Sequence, residues 1–263
     1  MQKLSKISSQ NIMGKKETWL LILGSLLLWF LIISPLLSSG YASDDIINSM
    51  MPGAVLEQHT SPLSISLNLI KQWIVSQGRF YPLPFLWGYS IFAFISNLFL
   101  YKCFLAFNIL LNVALFAYLI KLVTRRVTLA IFSIILIPIF LKFTLVHNPI
   151  LSFCGLLQIL YLFILLSLIT LVFYIEKKSI RYLILSMVFY FLSLMTYEVS
   201  YPLFILHVML LFTLYRKEPL AYKIKTSLFI FSVAVAAFII TVLIRVFNGH
   251  PFLPVDKGVY SFS

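Results

Sequence analysis

The sequence predicts an all-α, polytopic helical membrane protein. Three observations predict it: a mean hydropathy of +1.02, a charged fraction of 11%, and apolar runs of span length separated by basic clusters. A soluble domain carries roughly 25% charged residues to cover its surface. This chain has less than half of that, so much of its surface must face lipid. At roughly 20 residues per crossing, 263 residues leave room for up to about eight spans. The aromatic share of 16% suits interfacial belts and packed helices. Twenty Lys and Arg against eight Asp and Glu give a formal charge of +12. In a soluble protein that charge would suggest nucleic acid. Here the basic residues cluster between apolar runs, which makes them topology anchors and excludes a nucleic-acid partner. Cys103 and Cys154 sit inside apolar segments without metal-like spacing, so they read as packing residues.

The short N-terminus is basic (Lys3, Lys6, Lys15, Lys16), and the run 19–37 follows it as the first span. Gly40-Tyr41-Ala42 has the small residues of a cleavage region, but a signal peptide's apolar stretch is only about 7–15 residues long. A retained anchor is therefore expected. Further apolar runs lie at about 103–122, 127–146, 150–174, 180–197, 201–214 and 227–247. The 201–214 run is short for a span, so its ends are expected to extend.

The segment 84–100 decides the topology. If it crosses, 8 of the 20 Lys/Arg face the cytoplasm; if it returns to its own side, 14 do, among them Arg125, Arg126, Lys177, Lys178, Arg216 and Lys217. The positive-inside bias selects the second arrangement. Pro82, Pro84 and Gly88 also suit a broken segment covered by protein. The expectation is one transmembrane domain over 1–263 with about seven spans. Its N-terminus is cytoplasmic, and a long outer loop over 38–101 carries juxtamembrane helices.

Acidic residues are scarce, so their positions are informative. Asp44 and Asp45 directly follow the first span. Adjacent carboxylates repel, which raises the pKa of at least one and suits a general base or a metal ligand. Alternatively Ser43-Asp44-Asp45 caps a short helix through Met51. Later in the loop stands Gln77-Gly78-Arg79-Phe80-Tyr81-Pro82. An Arg there can recognise phosphate with its planar fork or snorkel to headgroups. Ile65, Leu69 and Trp73, with Ile70 and Ile74 beside them, give the apolar stripe of a helix lying on the outer leaflet. Tyr197-Glu198, His147-Asn148-Pro149, Arg245 and His250 all fall on the same outer side in this topology. Polar groups gathered on one face suggest a site at the lipid–water boundary. In the span interiors, His207 is the one ionisable residue near a centre.

These residues resemble the GT-C superfamily of integral-membrane glycosyltransferases, and most closely the bacterial enzymes that glucosylate O-antigen and related surface polymers. The likeness rests on Asp44-Asp45 after the first span, on Trp73 followed by Gly78-Arg79, and on Tyr197-Glu198 at the outer end of a later helix. The resemblance implies an outward-facing transferase of the bacterial inner membrane. Its donor would be a sugar on a polyprenyl phosphate and its acceptor a cell-surface glycan or lipid-linked sugar. Asp44 or Asp45 would act as base. Arg79, Tyr197, Glu198, His147 and Arg245 would hold donor phosphate or substrate. No metal is expected among the ligands, although a divalent ion is compatible with such chemistry. The other reading is a non-catalytic membrane protein, either a transporter or flippase component or a truncated glycosyltransferase.

Overall fold

A computed structural model describes residues 15–41, 45–140, 155–215 and 218–249. Among these the chain is all-helical. Four helices are long and apolar enough to cross a bilayer: α1 (Lys15–Leu37, apolar from Trp19), α6 (Leu98–Thr124), α8 (Leu156–Lys177) and α11 (Leu220–Phe247). Shorter apolar helices lie between them: α5 (Pro82–Phe94), α7 (Val127–Phe140), α9 (Ile180–Leu194) and α10 (Phe204–Leu214). A 3-10 segment, Glu198–Leu203, leads into α10 and lengthens the run that is short in sequence. Pro202 inside it leaves one backbone carbonyl without a helical donor, which suits the tighter, shorter geometry.

The segment between α1 and α6 is helical throughout most of its length. α2 (Asp45–Asn48) and α3 (Met51–Glu57) precede α4 (Pro62–Gln77). Ser61 caps α4 by accepting from the Ser64 N–H at 3.1 Å, and Pro62 fills the first helical position. Gly78 ends α4 in the left-handed region at φ 61°, where a side chain would be strained. On the predicted stripe of α4, Ile65 and Ile70 are buried, while Trp73 stays exposed and packs on Phe85 of α5 at 5.7 Å. α5 has 13 residues, about 20 Å of helix, which is short of the roughly 30 Å hydrocarbon core. Its chain leaves helical geometry at 95–97 and resumes when Asn97 caps α6 by accepting from the Leu100 N–H. Leu98, Phe99 and Leu100 thus belong to the long helix, so the loop expected to reach residue 101 ends before it.

Two cores form. One gathers Trp29 and Ile33 of α1, Met51 of α3, Ile65 of α4, Phe92 of α5 and the first half of α6. The other gathers α8, α9, α10 and α11 with the far end of α6. α8 is the centre of the second: 61% of its apolar window is buried, against 17% for α11. The large apolar side chains left exposed on α1 and α11, among them Leu23, Phe30, Phe229 and Phe238, are the surface that lipid would cover. Trp29 ties α1 to α7 by donating its indole N–H to the Ile134 carbonyl at 3.0 Å.

Candidate functional site

The helix connections sort the charged residues to two ends. At one end Arg125 pairs with Glu176, and Lys178 pairs with Glu218 at 2.7 Å. At the other end stand Asp45, Arg79, Glu198 and Arg245. The 28-residue α11 alone separates Leu220 from Phe247 by about 40 Å. Of the residues the sequence placed on one outer side, Arg79, Tyr197, Glu198 and Arg245 come close to one another at this second end.

The first cluster centres on Arg79. Its Nε lies 3.3 Å from Glu198 Oε1, with both side chains about 40% exposed. Tyr81 is buried beside them and packs on the Tyr197 ring at 6.3 Å. Burial, followed by the Glu198 carboxylate, pushes the Tyr81 phenol well above its ordinary value, so it stays protonated beside that carboxylate. Arg245, buried near the end of α11, donates to the Gly78 carbonyl at 3.2 Å and more weakly to Gln77 at 3.4 Å. The end of α4 and the Gly78-Arg79 turn are thereby held by α11 and the 3-10 segment together. The Leu83 N–H donates to the Met195 carbonyl at 3.4 Å and adds α9 to that hold.

The second cluster centres on Asp45, which is fully buried at the start of α2. Tyr101 Oη of α6 donates a hydrogen bond to its Oδ2. Tyr41, Phe92 and Tyr101 pack around it with ring centroids 4.8–5.8 Å apart. Burial, and after it the Asp45 carboxylate, raise the Tyr41 phenol above its ordinary value. Lys102, the next residue on α6, is also fully buried; its Nζ lies 5.7 Å from the Tyr101 ring centroid and has no hydrogen-bond partner among the described residues. The Asp45 carboxylate is near enough to act on it electrostatically.

Lys102 is the residue that sequence reasoning passed over, because it entered only as one charge in a topology count. A Lys inside the apolar stretch Leu98–Leu105 was the available signal. The two clusters sit at opposite ends of α5: Tyr81 precedes its first residue and Phe92 lies near its last, about 16 Å of helix apart. Asp44, His147 and His250 lie outside the described residues. Among the described residues, no group of three His, Cys, Asp or Glu is placed to hold a metal ion.

No family model, curated protein or solved structure matches this chain. The functional reading therefore rests on the chemistry of the two clusters and on the sequence resemblance.

Proposed function

We propose that this chain is an outward-facing glycosyltransferase of the bacterial inner membrane, moving a sugar from a polyprenyl-phosphate donor to a glycan or lipid-linked acceptor at the cell envelope. The observation that carries the reading is Asp45. It is a carboxylate fully buried just after the first span, held by a phenol on the next long helix. In that role it takes the proton of an acceptor hydroxyl. The hydroxyl oxygen attacks the anomeric carbon, and the bond to the lipid phosphate breaks with its electron pair leaving on phosphate. Inverting displacement puts base and leaving group on opposite sides of the sugar. In this reading Asp45 is the base, and Arg79, in the other cluster, holds the lipid phosphate.

In this proposal the N-terminus is cytoplasmic and the crossings number seven: α1, α6, α7, α8, α9, α10 with its 3-10 lead, and α11. α5 does not cross. The shorter helices reach across with their flanking turns and local thinning of the bilayer.

One observation favours the non-catalytic alternative. Arg79 is paired with Glu198, and Arg245 is bound to backbone carbonyls, so both cations meant for phosphate already have partners in the chain itself. Transfer from polyprenyl-phosphoglucose in proteoliposomes separates the readings. Replacing Asp44 and Asp45 together by Asn should cost about 10²–10⁴-fold in rate at unchanged membrane level. Undiminished transfer by that double variant would remove the carboxylates from the mechanism, and absence of transfer by the unaltered chain would favour the alternative.

A further inference from the structure

Lys102 is buried without a hydrogen-bond partner among the described residues, and nothing in the proposed mechanism uses it. An ammonium has three donors and no acceptor capacity. Burying it unsatisfied is costly, so the oxygen it lacks is one that arrives with a ligand. The charge beside it limits what that ligand can be. Asp45 is close by and ionised in its role as base, and an anion drawn to Lys102 would meet that carboxylate as well. A hydroxyl meets no such conflict, because its oxygen accepts from the ammonium while its hydrogen is donated to the carboxylate. Tyr101 donates to Asp45 Oδ2, and a carboxylate offers roughly four acceptor sites in all. The aromatic cluster supplies the remaining requirement, for Tyr41 is only half-buried and can offer its ring face to the C–H face of a sugar.

The geometry points to a sugar-hydroxyl seat formed by Lys102 Nζ and the Asp45 carboxylate against Tyr41, distinct from the Arg79 cluster that would take the phosphate. This rests on the glycosyltransferase reading; where the seated hydroxyl is the acceptor's, it is the one that Asp45 deprotonates. Hydrogen-bonded to the ammonium, that hydroxyl loses its proton more readily.

Binding to the full chain in nanodiscs tests the seat with two separated chemistries. Octyl β-glucoside below its micellar concentration carries a sugar and no phosphate, and polyprenyl phosphate carries the reverse. Octyl tetraethylene glycol controls for the alkyl tail. Lys102→Gln should weaken octyl glucoside binding about tenfold, the loss expected for a hydrogen bond to a charged group, and leave polyprenyl phosphate and the control unchanged. If Lys102→Gln does not yield folded protein, Asp45→Asn carries the same test, because it keeps the side-chain shape and a weaker acceptor. Polyprenyl-phosphoglucose then locates the source. Equal weakening of this lipid and octyl glucoside by Lys102→Gln assigns the hydroxyl to the donor sugar, and unchanged binding assigns it to the acceptor. A loss confined to polyprenyl phosphate would overturn the proposal in favour of a phosphate site, as would octyl glucoside binding that ignores both variants or is absent from the unaltered chain. If the unaltered chain binds octyl glucoside through Lys102 but never polyprenyl phosphate, the sugar seat stands and the lipid-phosphate donor falls.

Discussion

In the α8–α11 bundle, His207 is fully buried, and both of its ring nitrogens have partners: Ser167 Oγ at 2.7 Å and the Leu203 carbonyl at 3.3 Å. With Nδ1–H donated to the Leu203 carbonyl, the single Ser167 proton goes to Nε2; Ser167 Oγ lies 2.7 Å from the Ser186 carbonyl, and Ser186 Oγ donates to the Ser167 carbonyl at 2.8 Å. In the half built from α1 to α6, Lys102 is buried as completely, yet its Nζ lacks a partner among the described residues. A polar group that is satisfied where it lies fixes how helices register on one another. A buried one left unsatisfied destabilises the free protein and persists where a ligand completes it. Among the described residues Tyr201 Oη, Tyr215 Oη and Ser227 Oγ of the second half also lack partners, but these are neutral hydroxyls; the charged group without one lies in the first half, which the proposed function makes the site.

The largest effect that could break this comparison is one of side. In the proposed function the end carrying Asp45 and Arg79 faces outward, and the end carrying the basic connections near Arg125 and Lys178 faces the cytoplasm. Thr60 lies between α3 and α4, and Arg126 lies between α6 and α7. In a variant lacking Cys103 and Cys154, a membrane-impermeant thiol reagent added to intact cells should label Thr60→Cys and leave Arg126→Cys unlabelled. The outcome is all-or-none. Labelling of Arg126→Cys would place the Arg125–Glu176 end outward and strand the proposed site on the wrong face.

A smaller effect sharpens the contact between the two halves. Arg79 and Glu198 are half-exposed, and a pair of that kind contributes only about 0–1 kcal/mol to stability. If the pair holds Arg79 ready for phosphate, Glu198→Gln should release the guanidinium and tighten polyprenyl phosphate several-fold. Arg79→Lys keeps the charge but loses the bidentate fork, and should weaken the same binding about tenfold. A merely structural tie predicts unchanged binding in both variants.

Much of this architecture is readable from the chain. The four long helices coincide with apolar runs bounded by basic clusters, since burial in lipid demands that pattern and little else produces it. Scarcity makes Glu198 conspicuous in the sequence, whereas its pairing with Arg79, 119 positions away, appears only in the fold. What was not readable follows from the same apolarity. Leu98-Phe99-Leu100 look alike whether they end one helix or begin the next, and only Asn97 as a cap places the break. Arg245 meets Gly78 across 167 positions of chain, a distance no local pattern encodes. Whether Lys102 points to lipid headgroups or inward depends on how α6 is rotated against α1 and α5, which packing decides.

The smallest expected effect tests the scaffold half. Ser167→Ala removes a hydroxyl that contacts both His207 and the Ser186 carbonyl. The carbonyl is in a helix interior and keeps its backbone donor, so its loss is slight. The imidazole nitrogen is left buried without a partner, which costs about 1–2 kcal/mol within the range found for lost hydrogen bonds between membrane helices. Thermal unfolding in detergent should report that loss while octyl glucoside binding stays unchanged. Pairing Ser167→Ala with His207→Leu removes the stranded nitrogen along with its partner, and two apolar groups of fitting shape can be nearly neutral together. The double variant should therefore recover stability relative to Ser167→Ala alone. If it is instead less stable than the single variant and also loses glucoside binding, His207 reaches the site through α8 and α6. The separation of the α8–α11 scaffold from the Lys102 site would then have to be abandoned.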